Sequence, residues 1–129
     1  MENLLLNQNC YCKAPKINFK SSGELSITGR SISDSVAEYY KPAMDWICGL
    51  MDSPPERIEL TIQLDYFNSK SRKILLHILK LLEQIHIKGK SEVMVKWLYD
   101  FDDKDMYEAG TDYQSIVNIP FYFTCMAEC

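Results

Sequence analysis

The residues best suited to do chemistry in this chain are two serines, Ser69 and Ser71. They sit within Leu64-Asp65-Tyr66-Phe67-Asn68-Ser69-Lys70-Ser71-Arg72-Lys73. An alternating strand pattern closes there and an apolar helical pattern opens, so both hydroxyls fall at a helix N-terminus. The first N–H groups of a helix lack intrahelical partners, and that end of the dipole is positive. A hydroxyl at this point caps the helix and contributes about 1 kcal/mol. A phosphate added to it would carry nearly two negative charges, which Lys70, Arg72, Lys73 and the unpaired N–H groups would stabilise. Arg72, not Glu or Gln, follows Ser69 at the third position, so no capping box forms. On these residues alone, a structural corner and a phosphorylation switch are both open readings.

Other clusters point less firmly to chemistry. Asp100, Asp102, Asp103, Asp105 and Glu108 form an acidic run of the kind hard cations favour, but the EF-hand glycine and closing Glu are missing. A simpler role is helix capping by Asp102 or Asp103, with the other acids beside the positive dipole end. His77 and His86 fall at different rotational positions of one helix and make no two-ligand face. Cys10-Tyr11-Cys12 and the pair Cys125 and Cys129 could meet as four thiolates, yet Cys-x-Cys is a poor zinc spacing. Together with Cys48 they make five cysteines, an odd number that reads as free thiols. No glycine-rich phosphate loop, Gly-x-Ser-x-Gly elbow or His-Glu-x-x-His pair occurs. The expectation is a protein with no catalytic residues, no metal and no cofactor.

The bulk composition fits that reading. The chain has 129 residues, 47% hydrophobic and 25% charged, suited to one globular domain. Its net charge of −4 argues against nucleic-acid binding, which needs a basic face. No apolar run is long enough for a bilayer crossing, so no membrane insertion is expected. Met1-Glu2-Asn3-Leu4-Leu5-Leu6 lacks the basic and long apolar regions of a signal peptide, which predicts a cytoplasmic protein.

The elements that must position the serines follow from periodicity. Residues 1–13 read as an extended or partly mobile lead-in, and 14–129 as a single domain. Ile17–Lys20 and Leu25–Thr28 alternate around Ser21-Ser22-Gly23-Glu24, a hairpin signature, with Gly29 ending the second strand. Ser33-Asp34 reads as an N-cap, and Pro42 predicts a kink or break near Lys41 before the helix stops at Asp52-Ser53-Pro54-Pro55. In Arg57–Asp65, Ile58, Leu60, Ile62 and Leu64 share one face. Ile74, Leu75, Ile78, Leu79, Leu82 and Ile85 stripe the next helix, with Gly89 as its C′ residue. Glu92–Tyr99 is a mostly apolar, central strand. A helix through Met106, Tyr107 and Ala109 should break or bend at Gly110, and Phe121–Cys125 makes a last strand. The order β-β-α-β-α-β-α-β predicts an α/β fold: a single-domain mixed β-sheet packed with helices, with an N-terminal hairpin and a βαβ crossover from Arg57 to Tyr99.

Six segments carry a further signal by their order and spacing: Pro15–Phe19, Gly23–Ser31, Tyr40-Lys41-Pro42 with Trp46, Leu64–Ser71, Val95–Asp100, and Met106 with Ala109, Gly110 and Tyr113. In these the chain resembles the SiaC family of bacterial regulatory phosphoproteins. The resemblance implies a non-enzymatic switch, similar in fold and logic to the STAS-like anti-sigma-factor antagonists of partner-switching systems. It implies phosphorylation in the Tyr-Phe-Asn-Ser/Thr segment, here at Ser69 with Ser71 as second choice. It also implies a SiaB-type kinase, a SiaA-type PP2C phosphatase, and an unmodified form that binds a diguanylate cyclase and bears on cyclic di-GMP and biofilm formation. Partner contact is expected through Asp65, Tyr66, Phe67, Asn68, Lys70 and Arg72. Lys70 departs from the family, where small hydroxyl residues commonly follow the modified position. The rival readings are an antagonist of a sigma-factor inhibitor, and a small metal-binding protein using the Asp100–Glu108 carboxylates.

Overall fold

The computed structural model describes residues 2–7 and 13–126. Cys10, Cys12 and Cys129, and with them the four-thiolate arrangement, lie outside the described residues. The elements run β1 (Leu4–Leu6), β2 (Lys16–Phe19), β3 (Glu24–Ser31), α1 (Val36–Leu50), β4 (Arg57–Phe67), α2 (Ser69–Ile87), β5 (Glu92–Asp100), α3 (Lys104–Ile116) and β6 (Phe121–Met126). They build a six-stranded sheet in the order β1-β2-β3-β4-β5-β6. β1 to β3 pair antiparallel, and β3 to β6 pair parallel. The mixed sheet, the hairpin and the crossover are therefore as expected.

Register shows why alternating sequences suffice here. Leu25, Leu60, Val95 and Phe121 lie side by side across four strands, as do Ile27, Ile62, Trp97 and Phe123. Most of that face is buried under the helices. The opposite row, Ser26, Thr61, Lys96 and Tyr122, stays at least partly open. Period-two patterning thus yields a sheet with one face packed and one face wet. Lys96 reaches Glu59 at 3.3 Å on the open face.

Several boundaries differ from the sequence reading, each for a physical reason. Leu4–Leu6 pairs with Ile17–Phe19 and adds an edge strand, so the lead-in contributes to the sheet. α1 runs unbroken through Pro42, and Ser33 Oγ accepts from Ser35 N ahead of it without capping the helix. Five of its residues, Val36, Tyr40, Ala43, Ile47 and Leu50, bury the face that holds it in place. α3 likewise continues unbroken through Gly110, where a Cβ would lie 2.6 Å from Phe123 and 2.7 Å from Trp97. Close helix–sheet approach, not a helix break, explains that glycine. Gly89 does end α2 with φ 73°, and its N–H donates to His86 O.

β3 continues past Gly29, and this detail shapes the site. Gly29 faces Leu64, but Arg30 faces Tyr66, leaving Asp65 as an extra residue on β4. Such a bulge flips the alternation that follows it. Phe67 turns into the core at 6% exposure, while Tyr66 is left 56% exposed.

Candidate functional site

The corner after β4 is built by a buried polar network. Asn68, not Ser69, is the N-cap of α2: its side chain accepts from Ser71 N at 2.9 Å. This moves Ser69 from the expected cap to the first helical position. Asn68 N donates to Ser31 O at 3.0 Å, and Ser71 Oγ donates to the same carbonyl at 2.7 Å. Ser31 Oγ donates to Ser71 Oγ at 2.6 Å and lies 3.0 Å from Tyr40 OH. Since the Ser31 proton is committed to Ser71, Tyr40 must be the donor in that last contact. Burial pushes the Tyr40 phenol well above its usual range, which keeps it a donor.

The two serines are thereby separated in role. Ser71 is wholly buried, with its hydroxyl both donating and accepting. Ser69 is exposed. It lines a groove of about 420 Å³ with Asp65, Tyr66, Phe67, Asn68 and Arg72 on one side. Asp103, Asp105, Met106, Glu108, Ala109 and Asp112 of the α3 region form the other side. The groove lies beyond the C-terminal end of β4, the usual place for a site in an open parallel sheet.

Most of the expected contact residues meet there, and Lys70 does not. Lys70 is exposed but lies outside the groove lining. Three residues of the acidic run, Asp103, Asp105 and Glu108, line the groove with Ser69, while Asp100 and Asp102 do not. Asp103 caps α3 by accepting from Met106 N at 3.0 Å. Among the described residues, no three His, Cys, Asp or Glu side chains are grouped as a metal ion would require. Asp112 and Ser31 were not anticipated as site residues. Asp112 comes to the groove through the unbroken α3, and Ser31 lies 40 positions from Ser71.

Both walls of the groove are fixed to each other. Tyr113 OH donates to Arg72 O at 2.8 Å, tying α3 to the first turn of α2. Burial raises the Tyr113 phenol well above its usual range, with the Arg72 charge partly opposing. Beneath the groove, Trp97 Nε1 donates to Met106 O at 2.9 Å. Phe67 and Tyr113 pack against the Trp97 ring at centroid distances of 6.4 and 5.7 Å. The Arg72 guanidinium sits 4.8 Å from the Phe67 ring centroid.

The corner thus presents an exposed hydroxyl, Ser69, beside a carboxylate-rich groove. Residues 8–126 match the model of the SiaC family regulatory phosphoproteins, and the chain belongs to that family. It is similar to apo-SiaC from Pseudomonas aeruginosa, with 26% identity and a TM-score of 0.85 over 97% of this chain and 100% of the other. It is also similar to SiaC in the complex where that protein is the activator of the diguanylate cyclase SiaD. That likeness has 25% identity and a TM-score of 0.84 over 95% of this chain and 99% of the other. A relative in Pseudomonas aeruginosa strain UCBPP-PA14, named only as an uncharacterized protein, is 29% identical over 100 residues, or 78% of this chain and 79% of its own length. Among the described residues, no helix is long and apolar enough to cross a membrane.

Proposed function

We propose that this chain is a non-enzymatic cytoplasmic switch whose unmodified Ser69 face binds and regulates a diguanylate cyclase. Phosphorylation of Ser69 by a SiaB-type kinase lowers that affinity, and a SiaA-type PP2C phosphatase restores it. The observation that carries this reading is the contrast between the two serines. Ser69 is open on the groove rim, whereas Ser71 is enclosed. The SiaC–SiaD complex supports the choice of partner.

The mechanism is electrostatic. Five carboxylates already line the groove with Ser69: Asp65, Asp103, Asp105, Glu108 and Asp112. A phosphate adds about −1.5 to −2 charges, which a partner covering the groove would have to desolvate. Docking is therefore opposed without any unfolding of the corner.

The test is binding of Ser69→Ala and Ser69→Asp to the diguanylate cyclase of the same cell. Ser69→Ala should bind as the unmodified protein does, and Ser69→Asp about tenfold more weakly or worse, the equivalent of 1.4 kcal/mol. Equal binding of both variants would overturn the mechanism. Peptide mass spectrometry of protein from its native cell should place a phosphate on Ser69; its absence across growth conditions would remove the switch.

A further inference from the structure

Three cations, Lys70, Arg72 and Lys73, follow Ser69 closely in sequence, and the structure distinguishes them. Arg72 is the only Lys or Arg among the described residues lining the Ser69 groove. Lys73 instead lines a neighbouring groove of about 390 Å³ between α2 and α3, with Leu76, Asp112, Tyr113, Ser115 and Ile116. Arg72 lines that second groove too. Arg72 therefore borders both surfaces.

Arg72 is also available for a new partner. Its charge stacks on Phe67 at 4.8 Å, and it takes part in none of the ion pairs within 4.0 Å found among the described residues. A cation–π contact at an exposed site is weaker than a charge-assisted, bidentate pair with a phosphate. Ser69 and Arg72 stand at i and i+3 of α2, a spacing that puts side chains on one helix face. Arg72's backbone is held by Asn68 O and by Tyr113 OH, so only the side chain has to move.

Resting on the Ser69 reading above, we propose that Arg72 is the residue that reads the phosphate. The guanidinium leaves the Phe67 ring and pairs with the phosphate on Ser69. Its charge is neutralised in the first groove and withdrawn from the second. A modification at Ser69 is thereby felt on a surface that Ser69 itself does not line. Lys70 and Lys73 contribute only a diffuse field.

The experiment installs phosphoserine at position 69 during translation and titrates it by phosphorus NMR. The wild-type background is compared with Arg72→Gln, Lys70→Gln and Lys73→Gln. The phosphate shares its surroundings with Asp65 of β4 and with Asp103, Asp105, Glu108 and Asp112 across the groove, all unchanged among these variants. Arg72→Gln should raise the second phosphate pKa by about half a unit, and the two Lys variants by clearly less. Methyl shifts of Leu76 and Ile116 should respond to the phosphate in the wild type and not in Arg72→Gln. Equal shifts for all three variants, or none for Arg72→Gln, would overturn the assignment. Because the phosphate is installed, this outcome is independent of whether a kinase modifies Ser69 in the cell.

Discussion

Ser31 and Ser71, 40 positions apart, share two hydrogen bonds at 2.6 and 2.7 Å in a fully buried contact. The first turn of α2 is thereby fastened to the end of β3, and Ser69 is presented from a fixed corner. Removing one partner leaves buried polar groups unsatisfied, which costs about 1–3 kcal/mol. Ser71→Ala and Ser31→Ala should each lower the unfolding free energy by that amount in urea titrations. The double variant should fall short of the sum, since the two residues form one network.

Capping separates Asn68 from Ser69 in a second measurement. Asn68→Ala removes the side-chain acceptor for Ser71 N and should cost about 1 kcal/mol. Ser69→Ala removes an exposed hydroxyl that caps nothing, so its effect on stability should stay within about 0.5 kcal/mol. A larger loss in Ser69→Ala than in Asn68→Ala would contradict the placement of the cap.

Gly110 offers a test of the α3 seat. An added Cβ would meet Trp97 and Phe123 at 2.6 to 2.8 Å, and Trp97 is fully buried, so the helix would have to lift. Gly110→Ala should destabilise the fold by about 1–3 kcal/mol despite alanine's better helix propensity. Tryptophan fluorescence should report the displacement, because the Trp97 indole is bonded to Met106 O.

Alkaline pH should weaken the same region. Tyr40 and Tyr113 both have phenols raised above the ordinary value of 10.0, chiefly by burial. The fold therefore holds them protonated while the unfolded chain releases its protons near that value. Their contribution is complete below pH 10 and is lost as pH rises further, by about 1.4 kcal/mol per pH unit for each tyrosine. Urea midpoints measured from pH 9 to 11.5 should be level at first and then fall. Tyr113→Phe should reduce the slope, and a flat curve throughout would refute the assignment.

Much of this protein was legible because burial follows period. The alternation of Ile58, Leu60, Ile62 and Leu64 and the stripe from Leu75 to Ile85 become one packed sheet face and one packed helix face. Gly89 and Asp103 ended and began helices as their chemistry suggests. Pro42 and Gly110 do not end their helices because packing outweighs local propensity: α1 and α3 stay continuous over the faces they bury. Leu4–Leu6 is too short a run to announce a strand without its partner.

The amino-acid sequence by itself determined the α/β architecture, the family and the position of Ser69 at the start of a helix, because each rests on local pattern. Only the tertiary structure decided which serine is open, which cation shares its groove, and that the Asp103–Asp112 carboxylates face it. Those facts depend on a single bulge at Asp65 and on contacts between residues about 40 positions apart, such as Ser31 with Ser71 and Arg72 with Tyr113. No local period encodes such contacts; they exist only once the sheet has set its register and the helices have packed upon it.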